Sequence, residues 1–430
     1  MAGNLYALVD MNSFYASCEK LFRPDLTHAP VVVLSNNDGC VVARSSEAKA
    51  LGIGRGTPAF KLASLFAAAD VEVFSSNYEL YASLSARVFA SIRTLVPAVE
   101  VYSIDECFAL LTGMPQPMHT AQQIRDRVRL WTGICCCVGI GPTKTLAKLA
   151  NHYAKDHAST GGVFDWTALT AGEQQRVLSD TPVQEVWGIG GRIAERLRAA
   201  GIDSALAFTQ ADVSWLRRTF GVTLERTRRE LTGLECIAWE ENPRPKQQIC
   251  NSRSFAHPTD RLDDIVSAMS VHAAEAVRQL RAQSGETRAV TVFFHTNAFS
   301  ERTPQRAVWE TQLLAHPTDD LIAITQAALL LVRRHFDGAF AYQKAGVVLS
   351  DIVPKGRDSG AQQTLDLWDD TPLKTQRRQS LMQTIERINA RFGRHTVTTA
   401  SCRLSTGWRM RRDNLSPCYT TRIEDIPLVH

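Results

Sequence analysis

Long apolar runs are missing from this 430-residue chain. Even Leu321 to Val332 is broken by Thr325 and Gln326, well short of the ~20 apolar residues that a membrane-spanning helix needs. The N-terminus lacks a basic segment followed by an apolar one, so no secretory signal is read and a cytoplasmic location is expected. Ten cysteines in a chain of this length do not suggest a disulfide framework. Cys135, Cys136 and Cys137 are consecutive, which excludes a zinc knuckle because neighbouring side chains on a strand point to opposite faces. They read as small core residues of a strand. Cys18, Cys40 and Cys107 could approach one another, but nothing in their spacing demands it. Internal repeats and low-complexity tracts are also absent. A strong charge imbalance is absent too: the net charge of +4 is a weak argument for a nucleic-acid partner. Its distribution says more, since from Lys374 onward eleven Lys or Arg face four acidic residues. Such a tail is either a solvated surface or a seat for an acidic partner or phosphate backbone.

What is present begins with carboxylates in costly places. Leu5 to Val9 reads as a short buried strand with Asp10 at its tip, and Val99 to Ile104 as a second strand ending on Asp105 and Glu106. Aspartate and glutamate are depleted in strands, and crowded like charges destabilise each other unless a cation lies between them. A pair of divalent metal ions is the simplest explanation. Two Mg²⁺ ions ~3.5–4 Å apart can activate one oxygen and stabilise another in an in-line phosphoryl displacement.

Other motifs fit that chemistry. Gly139-Ile140-Gly141-Pro142-Thr143 leads into a helix on which Lys144, Lys148 and Lys155 fall within about 40° of each other, with Leu146, Leu149, Ala150 and Tyr153 opposite. Alone this would be an amphipathic surface helix with a solvated lysine face. Beside a carboxylate site it can serve a triphosphate. Asp38 to Gly52 runs glycine turn, apolar strand and serine-started helix, a junction suited to phosphate. After Asp10 come Met11, Asn12, Ser13, Phe14 and Tyr15. Phe14 could simply pack into the core, whereas a rigid Tyr15 could press on a nucleotide's sugar and exclude a 2′-hydroxyl. Val186-Trp187-Gly188-Ile189-Gly190-Gly191-Arg192 has the look of a helix-hairpin-helix whose backbone N–H groups approach a DNA phosphate. Asn242 to Lys246 reads as a linker. Beyond it, the pattern strand, helix, strand, strand, helix, strand over about 251–349 suggests a ferredoxin-like domain.

Taken together, Asp10 to Tyr15, Ser103 to Glu106, Gly139 to Gly141 with Lys144, Lys148 and Lys155, and the hairpin at Gly188 resemble the Y-family, or lesion-bypass, DNA polymerases in order and spacing. The resemblance covers essentially the whole chain. Asp38 to Arg44 and Ser416 to Arg422 are most similar to the UmuC-type branch, the catalytic subunits of DNA polymerase V. It implies an α+β multidomain right hand: palm in 1–13 and 78–165, small fingers in 14–77, a helical thumb with the helix-hairpin-helix in 166–243, and a ferredoxin-like little finger in 244–352. A linker with a clamp-binding motif would fill 353–371, and a basic C-terminal region specific to that branch 372–430. The implied activity is error-prone translesion synthesis in the SOS response, joining dNTPs to a primer 3′-OH opposite damaged bases.

By the same resemblance, Asp10, Asp105 and Glu106 are catalytic and hold two Mg²⁺ ions together with the Met11 carbonyl. Phe14, Tyr15, Arg44, Ser46, Lys49 and Lys155 would meet the incoming nucleotide, with Tyr15 as gate against ribonucleotides. Ser46 and Lys49 depart from the Tyr and Arg common in relatives, so the bidentate fork of an arginine is lost there. Lys144, Lys148, Gly188, Gly190 and Arg192 would meet DNA. Gln363-Thr364-Leu365-Asp366-Leu367-Trp368 looks like the hexapeptide that docks on the sliding clamp, through Gln363, Leu365, Asp366, Leu367 and Trp368. Implied partners are primer-template DNA, dNTPs, the clamp, a UmuD′-like dimer and a RecA filament, with nucleoid association when engaged and no membrane. Two other readings stay open: a nucleotidyl cyclase, which has no use for a DNA grip, and a non-catalytic DNA-binding accessory protein, which would not need three intact carboxylates.

Overall fold

The computed structural model describes residues 3–241, 244–300, 303–355, 372–393 and 396–427, with the side chains of 372–376 excepted. The chain divides into two compact units, one made of residues 1–35, 39–243 and 414–430, the other of 36–38 and 244–413.

The first unit opens with β1 (Tyr6–Met11) and α1 (Phe14–Leu21). A small layer follows, with β2 (Val31–Leu34), β3 (Val41–Arg44), α2 (Ser46–Ala50), α3 (Ala63–Ala68) and β4 (Glu72–Ser75), its sheet ordered β3-β2-β4. Then come α4 (Tyr78–Arg93), β5 (Val99–Val101), β6 (Glu106–Leu110), α5 (Pro117–Thr132), β7 (Cys136–Gly141), α6 (Lys144–Asp156) and β8 (Val163–Asp165). The main sheet is ordered β5-β6-β1-β7-β8. β1 is central because it is apolar on both faces: Ala7 and Val9 join one core with α1, α4 and α5, while Tyr6 and Leu8 pack with Phe108 and Ala147 on the other side. At ~1.5–3 kcal/mol for each fully buried large side chain, these contacts dominate the sheet's stability.

The expected strand over Val99 to Ile104 is shorter. β5 ends at Val101, and a tight turn, in which the N–H groups of Tyr102 and Ser103 both donate to the Glu106 carbonyl, reverses the chain. Glu106 thus opens the returning strand β6 rather than closing β5. Cys136 and Cys137 lie buried in β7 as core residues and Cys135 is exposed just before it; none of the cysteines is disulfide-bonded.

In the same unit, helices α7 (Ala171–Asp180), α8 (Gly191–Ala199), α9 (Ala205–Gln210), α10 (Val213–Phe220) and α11 (Val222–Leu231) pack around Val183, Ile189, Leu197, Phe208 and Leu216. α7 starts with a capping box, Thr170 and Glu173 satisfying each other's backbone N–H.

In the second unit β9 (Ile249–Thr259), α12 (Leu262–Ala282), β10 (Gly285–His295), β11 (Ala307–Thr318), α13 (Leu321–His335) and β12 (Tyr342–Pro354) follow the order read from the sequence. The antiparallel sheet runs β11-β10-β12-β9, so each helical crossover encloses one strand of the other half, a split β-α-β arrangement. α12 and α13 cover its apolar face. α14 (Pro372–Phe392) follows, and residues 396–413 close against α12. There Trp408 joins the apolar core, and the Ser267 hydroxyl lies 2.9 Å from the carbonyls of both Cys402 and Ser405. Among the described residues no helix is long and apolar enough to cross a membrane.

Candidate active site

Register places the two strand carboxylates together. Asp10 on β1 stands opposite Glu106 on β6, so both side chains leave the same face of the sheet. Opposed like charges at this separation repel, and burial adds to the cost. Burial pushes the Asp10 carboxyl up to about 7, and Glu106, close enough to share a hydrogen bond, pushes it the same way against the pull of Lys155.

Relief comes from α6. The Lys155 ammonium lies 2.6 Å from Asp10 Oδ1, and Lys148 lies 3.2 Å from each oxygen of Glu106. Lys148 also sits over the rings of Tyr102 and Trp187, at 4.6 and 5.2 Å. The helix is brought this close by glycine. A Cβ on Gly139 would meet Asn151 N at 2.0 Å and Ala147 O at 2.4 Å, and one on Gly141 would meet Ala147 N at 2.6 Å. Asn151 fastens the contact from the helix side, its Nδ2 donating to the carbonyls of Cys137 and Leu8.

The third carboxylate takes a different partner. Asp105 accepts a 2.6 Å hydrogen bond from Ser103 Oγ, and its backbone carbonyl accepts from Met11 N–H at 2.9 Å. Among the described residues no three His, Cys, Asp or Glu side chains are gathered as a metal cage. Mg²⁺ ordinarily binds through one or two carboxylates plus substrate phosphates, keeping several waters, so the hard-oxygen pair Asp10–Glu106 fits such an ion.

Lys144 is a correction. It is 1% exposed, its ammonium held at 2.7 Å by both oxygens of Glu100 and by the Ala238 carbonyl. As the first residue of α6 it turns under the helix, beside Phe108 and Trp239, and has no free donor face for DNA. The Phe14 side chain is a second correction: it is 3% exposed and belongs to the apolar core, so only its backbone, at the start of α1, is left to meet a nucleotide.

Tyr15 is half-buried. It stacks on Tyr81 with centroids 4.5 Å apart and 14° between planes, and meets Tyr78 edge-on at 6.0 Å. Burial pushes its hydroxyl up to about 12, so it is a neutral ring at physiological pH. Ser13, just before α1, has φ 48°, a left-handed conformation that costs a non-glycine residue ~1 kcal/mol or more, and the Asn12 Oδ1 beside it is buried with no hydrogen-bond partner among the described residues. Tyr78 and Tyr81, which surround the Tyr15 ring, went unnamed in the sequence reading, because a ring contact between positions far apart in the chain leaves no trace in local spacing.

On the smaller layer, Arg44 ends β3, Ser46 opens α2 and Lys49 lies one turn on. Ser45 caps α2 by accepting from Ala48 N–H. Arg44 Nε is buried and has no hydrogen-bond partner among the described residues. Partial burial lowers the Lys49 ammonium's pKa, Arg44 and Lys155 lower it further, and Asp10 opposes them, so these four charges share one field.

Gly188 has φ 86° and lets the chain turn between buried Val186 and Ile189. Gly190 precedes α8 without a side-chain cap, and open space surrounds Gly190 and Gly191, leaving the first N–H groups of the helix accessible beside exposed Arg192. Gln363, Leu365, Asp366, Leu367 and Trp368 lie outside the described residues.

Residues 9–152 match the impB/mucB/samB family, 246–365 its C-terminal domain and 171–202 the HHH motif of the IMS family, while 379–429 match a domain of unknown function. Protein ImpB of Salmonella typhimurium is 43% identical over 428 residues, 99% of this chain and 99% of that protein. The chain belongs to the impB/mucB/samB family. Also similar to this family member are Protein UmuC of Salmonella typhimurium strain LT2, 42% identical over 98% of the chain and 99% of that protein, and DNA polymerase IV of Oceanobacillus iheyensis, 25% identical over 91% and 90%. Among solved structures, a Y-family DNA polymerase chimera of Dbh and Dpo4 gives a TM-score of 0.61 at 19% identity, covering 82% of this chain and all of that one. An insertion ternary complex of Dbh DNA polymerase gives 0.53 with the same coverage. At these identities the likeness is one of fold, the multidomain α+β fold of the Y-family polymerases.

Proposed function

We propose that the face carrying Asp10, Glu106, Lys148 and Lys155 is where the chain joins a deoxynucleotide to a primer 3′-OH opposite a damaged template base. The chain is a DNA-directed DNA polymerase of translesion synthesis and SOS mutagenesis. One observation carries the reading: two carboxylates face each other across a strand ladder, each met by a lysine of the same helix. Two Mg²⁺ ions, when bound, supply activation of the primer oxygen and neutralisation of the triphosphate and leaving pyrophosphate. Asp10 and Glu106 would hold them with the Met11 carbonyl, and with Asp105 once it leaves Ser103.

Lys155 offers its ammonium to the triphosphate, and Arg44, whose Nε has no partner among the described residues, joins it with Ser46 and Lys49. Tyr15 presents a neutral ring edge to the sugar. Lys148, 3.2 Å from both oxygens of Glu106, holds that side chain in orientation. Gly188, Gly190 and Arg192 bind a DNA phosphate without reading sequence. The palm, fingers, thumb and little finger take the boundaries expected above, and a small fingers layer with few groups around the new base pair tolerates lesions at the expense of fidelity. Cytoplasmic location, the sliding clamp through Gln363 to Trp368, a UmuD′-like dimer and a RecA filament belong to the same proposal.

Primer extension past an abasic site, with Mg²⁺ and those partners supplied, tests it. Asp10→Ala and Glu106→Ala are each expected to lower the rate by roughly a thousandfold or more. Equal extension by wild type and both variants would sink the reading.

A further inference from the structure

Tyr15 does not stand alone: its ring rests on Tyr81, and the Tyr81 hydroxyl donates to Glu19 Oε1 on α1. Glu19 is 1% exposed, and the same oxygen accepts a second hydrogen bond, 3.1 Å from Ser416 Oγ. Ser416 lies almost four hundred positions away, within the stretch that matches a domain of unknown function.

Three further contacts seat that segment. Asn77, the N-cap of α4, accepts from Leu80 N–H, while its Nδ2 lies 2.9 Å from the Ser416 carbonyl, 3.0 Å from Ser416 Oγ and 3.3 Å from the Pro417 carbonyl. Ser75 and Asn414 exchange two hydrogen bonds, Ser75 N–H to the Asn414 carbonyl at 2.8 Å and Asn414 N–H to Ser75 Oγ at 3.0 Å. Tyr419 stacks on Phe22 with centroids 4.5 Å apart. Ser416 and Cys418 are buried.

The Ser416 hydroxyl is therefore used in both directions, accepting from the cap of the helix that carries Tyr78 and Tyr81 and donating to the carboxyl that holds Tyr81. We infer that residues 414–419 are a positioning element for sugar selection, with Ser416 acting through Glu19, Asn77 and Tyr81 to hold the ring of Tyr15. The inference rests on the reading of Tyr15 as the residue that faces the sugar. A ring excludes a 2′-hydroxyl only if it cannot retreat, and a backing ring whose own hydroxyl is tied down gives it nowhere to go.

Single-nucleotide insertion by the full chain, with the partners above, separates the possibilities. kcat/KM is measured for a dNTP and for the matching rNTP, and thermal unfolding is followed for every variant. Ser416→Ala is expected to lower the dNTP/rNTP ratio by roughly fivefold, the scale of one hydrogen bond, with kcat for the dNTP within about twofold of wild type. Ser416→Thr, which keeps the hydroxyl, restores the ratio. Asn77→Asp, which keeps the helix cap but loses the donors, lowers it as well. A purely structural role lowers both substrates equally and leaves the ratio unmoved, which overturns the inference. Tyr15→Ala is the reference: if it collapses the ratio while Ser416→Ala and Asn77→Asp do not, only this inference fails. If Tyr15→Ala leaves the ratio unchanged, the gate reading fails and the inference with it.

Discussion

Gly139 has no room for a β-carbon, since the atoms it would strike belong to the backbone of α6 and cannot swing aside. Gly139→Ala is expected to destabilise the protein by about 3 kcal/mol or more, at the upper end of overpacking costs, and to displace the helix that carries Lys148 and Lys155. Denaturant unfolding beside the extension assay checks both effects. Glu19 makes a second prediction at this scale. Burial pushes its carboxyl up to about 7 from the ordinary value of 4.5, although the hydroxyls of Tyr81 and Ser416 pull it down. The protonated form is thus favoured in the folded state, so its contribution is fully present below pH 4.5 and is lost as pH rises through about 7. Relative to Glu19→Gln, the wild type should lose up to about 3 kcal/mol of stability across that window. A difference independent of pH between 4 and 8 would remove the assignment.

At the scale of the element, α6 shows how far periodicity reaches. Helical spacing correctly groups Lys148 and Lys155 on the side facing the carboxylates, but it places Lys144 with them, and the structure buries Lys144 against Glu100. A helical wheel assumes that one face sees one environment, whereas the first turn of α6 lies under Trp239 and Phe108 and its last turn reaches Asp10. Removing one partner of a buried ion pair leaves the other charge uncompensated, so Lys144→Met is expected to cost about 3 kcal/mol. Adding Glu100→Leu should recover part of that loss, and thermal unfolding of the single and double variants tests it. Recovery would be absent if the pair were an exposed one of little consequence.

For the whole molecule, DNA affinity is expected to come chiefly from phosphate contacts at the α8 turn and the basic residues, and so to fall steeply with salt. Arg192→Ala should reduce the slope of log K against log salt by about 1 with no change in sequence preference, measured by fluorescence anisotropy. An unchanged slope would take Arg192 off the interface. Replacing Leu367 and Trp368 by Ala is expected to weaken sliding-clamp binding by tenfold or more, on the order of one lost hot-spot anchor, and equal affinity by calorimetry would refute the motif.

By itself the sequence determined the element order of the second unit, the apolar strand that carries Asp10, the shared side of α6 on which Lys148 and Lys155 lie and the glycine turn at Gly188, because apolar periodicity and turn chemistry are local properties of the chain. Contacts between distant positions were decided by tertiary structure alone. Only strand register sets Asp10 opposite Glu106, and only packing buries Lys144 and Phe14 while leaving Tyr15 half-open. The ties from Tyr15 through Tyr81 and Glu19 to Ser416 leave no trace in local pattern, since a hydrogen bond or a ring stack between residues tens to hundreds of positions apart depends on where the folded chain returns.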